Sequence, residues 1–279
     1  MLDGFQHGFR IGFTGVPNNT IYPNHKSAND HPGVIEDYLS REVKEGRMRG
    51  LFDSLPSYFH CSPLAVVPKK TPGTFRVIHN LSYPTGNSVN DFIPEYFSRV
   101  TYQSVYDAIV MLSDLGKGAF MSKTDVEKAF RIIPINPADQ HLFYVHWEGK
   151  FYLDLRMEMG CSSSCQIFEA FSSAIAWVAQ SKLNIPTVHY LDDFLFGSES
   201  RARGAKQLEA FIHMYSDIGI PLAMDKTFAP ARIMSFLGYE IDTILQEIRL
   251  PEEKIIRCRD EIDYLIGRKK VRLKNFNLS

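Results

Sequence analysis

Two acids stand side by side in Tyr190-Leu191-Asp192-Asp193, between the apolar runs Ile185–His189 and Phe194–Phe196. Carboxylates crowded into such a stretch are costly unless a cation meets them. A tight turn between two strands would hold both at its tip, where a divalent metal could neutralise them; a solvated surface turn is the plainer alternative. Asp125 is the candidate third acid, placed where the apolar strand Ala119-Phe120-Met121 gives way to Lys123-Thr124-Asp125-Val126-Glu127-Lys128-Ala129-Phe130. Three carboxylates on two adjacent strands can hold a pair of metal ions. Such a pair serves phosphoryl transfer to a hydroxyl, one ion activating the nucleophile and the other bridging the phosphates. Asp125 and Asp192 would bridge the ions, with Asp193 completing the charge. Hard oxygen ligands and phosphate substrates select Mg2+, with Mn2+ as a substitute. A helix N-cap would suit Asp125 equally well.

A second group of residues could bind phosphate. Leu64–Val67 and Thr74–His79 read as strands joined by the turn signal Thr71-Pro72-Gly73-Thr74. A turn centred on Pro72-Gly73 sets Lys70 opposite Phe75 and Lys69 opposite Arg76. Two cations directly opposed on a strand pair repel one another. A triphosphate between them would turn that penalty into binding, with Arg76 suited to bidentate contact. A solvated basic hairpin tip is the alternative.

The elements that must position these residues follow from periodicity. Residues 1–32, rich in Gly, Asn, Pro and His, read as an irregular lead-in. Ile35, Tyr38, Leu39 and Val43 predict a helix over 34–46, and Val105, Ala108, Ile109 and Leu112 a second one ended by Gly116. A strand over 119–124 ends at Asp125, and Leu142–Trp147 with Phe151–Leu155 form a hairpin. A third helix follows around Ile167, Phe171 and Ile175. The acidic hairpin leads to a fourth around Leu208, Phe211 and Tyr215, then strands over 233–241 and 244–250. Pro251-Glu252-Glu253 starts a last helix, which runs into the basic stretch 268–274. This order suits an α+β fold, helices layered on a mainly antiparallel sheet.

Composition sets the outer bounds. The chain has 279 residues, 44% hydrophobic, with a formal charge of −1. That is enough for one large domain or two intimate subdomains. Without an apolar run long enough for a bilayer or a signal-peptide pattern, it reads as soluble and intracellular, with no membrane partner. Cys61, Cys161, Cys165 and Cys258 are too few and scattered for a disulfide framework, and 161 and 165 lack the histidines of a zinc site. The near-neutral charge argues mildly against a nucleic-acid partner; the basic clusters at 69–76 and 268–274 weigh the other way, the latter reading equally as an ordinary solvated end.

Taken in order, the segments resemble a reverse transcriptase from about Ser62 to Asp242. SPLAVVPKKTPGTFRVIHNLSYPTGNSVN is similar to its fingers segment and KTDVEKAFRIIPI to its first catalytic motif. MGCSSSCQIFEAFSSAI resembles its template-gripping loop and helix, YLDDFLFGS its catalytic hairpin, GIPLAMDKTFAP its lysine motif, and FLGYEID its primer grip. Gly4-Phe5, Gly8-Phe9, Gly12-Phe13 and the Cys/Ser-rich loop look most like retroelements carrying a tyrosine recombinase, the DIRS-like type.

The resemblance implies a right-hand polymerase fold with fingers, palm and partial thumb, an antiparallel palm sheet covered by helices. Its boundaries would be a lead-in with a first fingers helix over 1–61, fingers over 62–118, palm over 119–242, and primer-grip exit with partial thumb over 243–279. It implies addition of deoxynucleoside triphosphates to a primer 3′-hydroxyl on an RNA or DNA template. Asp125, Asp192 and Asp193 would be catalytic metal ligands together with Val126, and Lys226 would protonate the leaving pyrophosphate. Lys69, Arg76, Val126, Phe130 and Gly160 would bind the nucleotide, Phe130 as the gate against a ribose 2′-hydroxyl. Phe236, Leu237, Gly238 and Tyr239 would grip the primer. Core aromatic and surface lysine are the plain readings of Phe130 and Lys226. Met159 departs from the pattern, since retroviral relatives commonly carry glutamine there. His79 and His189 read as satisfied structural histidines. The chain reads either as a fragment of a longer polyprotein, in which RNase H and recombinase domains could lie, or as an abbreviated retroelement copy. The competing readings are an inert, domesticated nucleic-acid-binding domain and an RNA-dependent RNA polymerase, which Phe130 disfavours.

Overall fold

The computed structural model describes residues 1–69 and 71–267; Lys70 and the basic stretch from Arg268 lie outside them. The chain forms two compact units, each assembled from two stretches: 1–102 with 126–177, and 103–125 with the chain from Val178 on.

The first unit begins with α1 (Leu2–His7), α2 (Lys26–Asn29) and α3 (Pro32–Lys44). Two short helices thus stand in a stretch expected to be irregular. Ile35, Leu39 and Glu42 recur at helical spacing and form the buried stripe of α3. Strand β1 (Met48–Phe52) was not expected. Strands β2 (Leu64–Pro68) and β3 (Phe75–His79) make the basic hairpin. Ala28, Ile35, Leu39, Met48, Leu64, Val66, Val145 and Trp147 close into this unit's core.

Helix α4 (Val105–Leu115) and strand β4 (Phe120–Asp125) belong to the second unit, after which the chain returns to the first. There it forms α5 (Pro137–Gln140), β5 (Tyr144–Trp147) and β6 (Lys150–Asp154). Strand β1 adds to this hairpin, giving the antiparallel order β1-β6-β5. Helix α6 (Ser164–Lys182) carries the chain into the second unit.

That unit contains β7 (Thr187–Tyr190), β8 (Asp193–Ser198), α7 (Arg201–Asp217), β9 (Phe228–Ala231), β10 (Ile233–Phe236), β11 (Tyr239–Asp242), β12 (Glu247–Arg249) and α8 (Glu252–Ile266). Strands β7-β8-β4-β9 form an antiparallel sheet and β10-β11-β12 a second one. Alternation along β8 divides its side chains between two faces. Leu195 meets Ala108 and Leu112 of α4, with Met121, Met234, Phe236 and Ile241, while the Phe194 and Phe196 rings pack at a tilt on Phe211 of α7. The strand expected over 233–241 is instead two strands. Leu237 and Gly238 both take positive φ (48° and 81°), a two-residue turn whose twist suits a hairpin.

Candidate active site

The acidic hairpin is built as its sequence suggests. Tyr190 pairs with Asp193, leaving Leu191 and Asp192 as a two-residue connection. Leu191 has a φ of 50°, a conformation that side chains with a β-carbon adopt reluctantly and that clusters at functional sites. Asp125 is the last residue of β4 and lies directly opposite Asp193 across the β4–β8 ladder. It therefore ends a strand and caps no helix, which settles that alternative.

Asp125 is anchored on its far side by the segment before β9. The Ala223 N–H donates to the Asp125 carbonyl at 2.8 Å, and the hydroxyls of Thr124 and Thr227 bond at 2.7 Å. This sewing delivers Lys226, whose Nζ donates to Asp125 Oδ1 at 3.0 Å. Burial pulls the Lys226 ammonium down. Its bond to Asp125 and the charges of Asp125, Asp192 and Asp225 outweigh that pull, so its pKa lies above the ordinary lysine value.

The other two acids are held differently. Burial and the charge of Asp125 lift the Asp192 carboxyl to about 6. Burial also raises Asp193, against the opposing pull of Lys123. Lys123 Nζ lies 3.5 Å from Asp193 Oδ1 and 5.5 Å from the Phe228 ring centroid. Asp193 Oδ1 is buried without a hydrogen bond. Among the described residues, one oxygen from each of Asp125, Asp192 and Asp193 does not fall within a common 4.8 Å; His79, Asp154 and Glu158 form the group that does. Lys226 sits against Asp125 and Lys123 against Asp193. The donor set still fits a hard divalent ion: three carboxylates on adjoining elements, two of them raised by burial.

Comparison with known proteins assigns the chain. Residues 67–241 match the family model described as reverse transcriptase (RNA-dependent DNA polymerase). The chain belongs to the reverse transcriptase family. Protein P of duck hepatitis B virus (strain Germany/DHBV-3) is 23% identical over 273 residues, covering 88% of this chain and 34% of that protein. The Pro-Pol polyprotein of feline foamy virus is 26% identical over 230 residues, covering 81% and 17%. The foamy viral protease-reverse transcriptase solved in complex with RNA/DNA hybrid superposes with a TM-score of 0.70 at 20% identity, over 91% of this chain and 32% of that one. The last likeness establishes the polymerase fold. The chain spans about a third or less of the length of these relatives.

Within this reverse transcriptase domain, Phe236, Leu237, Gly238 and Tyr239 form the tip of the β10–β11 hairpin, where Lys254 Nζ donates to the Gly238 carbonyl at 3.0 Å. Lys69, Arg76, Val126, Phe130 and Gly160 lie in the first unit. The basic hairpin's register corrects the expectation. Arg76 faces Val67 and Phe75 faces Pro68, so Lys69 does not oppose Arg76. The Lys69 N–H donates to the Thr74 carbonyl, while Thr74 N–H closes on Thr71. The Pro72-Gly73 turn is thus wider than a two-residue connection, and the pairing slips by two. A slip of two preserves facing, so Lys69 and Arg76 remain diagonal neighbours on one side. The expected Lys70–Phe75 pairing falls on a residue outside those described.

Phe130 is buried with its ring centroid 5.2 Å from Phe168, and Val126 is buried too, leaving its backbone to offer contacts. Gly160 is exposed, but a β-carbon there would come within 3.2 Å of the His79 carbonyl, so close approach explains the glycine. Met159, the departure noted above, contacts Arg76 through its sulfur at 3.8 Å. His189 stacks on Phe194. His79 is buried, and burial pulls its pKa down to about 4.

Sequence reading missed Lys123. Its signal was present: a cation two residues before Asp125 on one strand must share its face. Asn90 was missed as well. Its amide donates to the Gly160 carbonyl at 2.8 Å and accepts from the Ser162 N–H at 2.9 Å, clamping the loop that carries Gly160. Nothing local in the sequence marks that long-range pairing.

Proposed function

We propose that this chain is an RNA-directed DNA polymerase that adds deoxynucleotides to a primer 3′-hydroxyl on an RNA or DNA template. The observation that carries the reading is the pairing of Asp125 with Asp193 across two strands, with Asp192 on the connecting turn and Lys226 bonded to Asp125. Asp125 and Asp192 would hold Mg2+ or Mn2+, with Asp193 and the Val126 backbone beside them. The ions would lower the hydroxyl's pKa and stabilise charge on the phosphates.

The chain's own side chains divide the remaining work. Lys226, kept protonated by the neighbouring acids, is the proton source for the leaving pyrophosphate. A cation bound by Asp125 would weaken the present Lys226–Asp125 bond and free the ammonium for that task. Lys69 and Arg76, cations on one hairpin face, bind the triphosphate. Phe130 restricts the sugar to deoxyribose, Gly160 admits template and nucleotide, and Phe236–Tyr239 hold the primer end. The Gly-Phe lead-in and the Cys/Ser-rich loop support a retroelement of the tyrosine-recombinase type as source, within a longer polyprotein.

The test is primer extension on poly(rA)/oligo(dT) with Mg2+ or Mn2+ and either dTTP or UTP. Incorporation of dTTP is expected, and Asp192→Asn should reduce it about a thousandfold or more, since metal charge stabilisation amounts to several kcal/mol. Template binding without extension would establish the inert reading instead, and preference for UTP an RNA polymerase.

A further inference from the structure

Next to Phe130 in sequence, Arg131 is largely buried at the centre of an ionic hub in the first unit. Its guanidinium donates to Glu42 of α3 at 2.9 Å, Asp154 at the end of β6 at 2.8 Å, and Glu158 at 2.6 Å. It also reaches the Arg156 carbonyl at 3.2 Å. The same glutamates have outer partners: Arg47 grips Glu42 through two bonds of 2.6 and 2.7 Å, and the Tyr38 hydroxyl donates to Glu158 at 3.2 Å.

This hub includes the one tight ligand cluster among the described residues, His79, Asp154 and Glu158. It needs no metal, because the cation is already there. The Arg131 guanidinium faces all three acids and Arg47 reinforces it at Glu42. Burial pushes Glu158 well above the usual carboxylate range, against the pull of Arg131. Glu42 is the opposite case, where both arginines overcome burial and hold it near 2. Buried charges this fully paired resist displacement, since moving one strands the rest.

What the hub joins gives it a use. Arg131 lies in the single turn over Ala129–Ile132 that carries Phe130, and its own N–H bonds the carbonyl of Lys128, a left-handed residue. Glu158 begins the loop that carries Met159 and Gly160: its carbonyl accepts from the Cys161 N–H at 3.1 Å and the Ser164 hydroxyl at 2.5 Å. We infer that Arg131 is a positioning residue which, through Glu158, locks the Phe130 turn and the Gly160 loop into one rigid piece and so sets discrimination against ribonucleotides. The inference rests on the polymerase reading above, in which Phe130 meets the sugar.

Replacing Arg131 would leave three buried carboxyls facing one another, so the test acts at the rim of the hub. Tyr38→Phe removes one hydroxyl that touches Glu158. Asn90→Asp serves as the control, loosening the same loop from its other end without passing through Arg131. Hydrogen exchange is followed at amides 129–133 and 158–162, alongside kcat/KM for dTTP and UTP. Tyr38→Phe should speed exchange at both segments together and lower the dTTP to UTP ratio about fivefold, the weight of one net hydrogen bond. Asn90→Asp should speed exchange over 158–162 while sparing 129–133. Faster exchange over 158–162 alone in Tyr38→Phe, an unchanged nucleotide ratio, or equal loosening of both segments by Asn90→Asp would overturn the inference. A parent chain without any extension would remove the polymerase reading instead, and the exchange arm would still decide whether the two segments are coupled.

Discussion

Asp192 is kept against its chemical preference. Its carboxyl is lifted to about 6 by burial and by Asp125, whereas an unfolded aspartate titrates near 3.8. Between those values the folded chain holds a proton that the unfolded chain has lost. The stability it contributes is therefore present below about pH 3.8 and lost as pH rises through 6. Asp192→Asn removes that cost. In EDTA it should stabilise the protein by about 1–2 kcal/mol at pH 7.5, discounted for partial exposure, and by almost nothing near pH 4. Urea unfolding at the two pH values measures this; an equal effect at both would show that the site does not strain the carboxylate. Lys123 and Asp193 pose a related case, with side chains 19% and 21% exposed. Lys123→Met should cost roughly 2–3 kcal/mol by stranding a buried acid. Adding Asp193→Asn should recover most of that loss. A strictly additive double variant would mean that the pair is not coupled.

Glycine 204 shows how elements constrain one another around the site's sheet. In an open helix its replacement by alanine gains about 1 kcal/mol. Here a β-carbon would sit 3.0 and 3.2 Å from the Pro230 ring and 2.5 Å from the Ser198 hydroxyl. Pro230 can lie in β9 because β9 is the edge strand of its sheet, and its ring cannot rotate away. Gly204→Ala should therefore destabilise by about 1–2 kcal/mol in urea unfolding. A gain in stability would show that α7 has slack against β9. This is also where sequence legibility ends. The helices at 34–46 and 105–116 were readable because Ile35-Leu39 and Ala108-Leu112 repeat at 3.6, and the acidic hairpin because strand character brackets two acids. Strands β1 and β9 were not, since each is defined by a distant partner, β6 and β4, more than by its own pattern. The slip at Lys69–Arg76 has the same cause: Pro72-Gly73 marks a turn but not how many residues flank it before pairing begins. Of the site, Asp125 faces Asp193 across β4 and β8 with Asp192 on the adjoining turn and Lys226 bonded to Asp125, but the three acids do not close into one cluster; Lys123 was legible from its spacing to Asp125, whereas Asn90 and Arg131 meet partners distant in the chain that spacing does not reveal.

At the scale of the molecule, the acids that would bind metal all belong to one unit. Asp125, Asp192, Asp193 and Lys226 lie within 103–125 and the chain from Val178 on, which has its own core around Ala108, Met121, Leu195 and Phe236. A ligand that binds only the folded form stabilises whatever unit must be folded to bind it. Mg2+ at ten times its Kd should thus add about 1.4 kcal/mol to the second unit. The first unit, whose core is built on α3, β2 and β5, should gain much less directly. Amide exchange with and without Mg2+ separates the two, because slowed exchange should concentrate in β4, β7, β8 and the segment around Lys226. The gain should also shrink toward pH 5, where protons compete for Asp192, and disappear in Asp192→Asn. Protection spread evenly over both units would mean that opening is global, so that metal cannot favour one. Protection centred on His79, Asp154 and Glu158 would be more damaging, since it would place the ion in the Arg131 hub and leave the three aspartates without their cation.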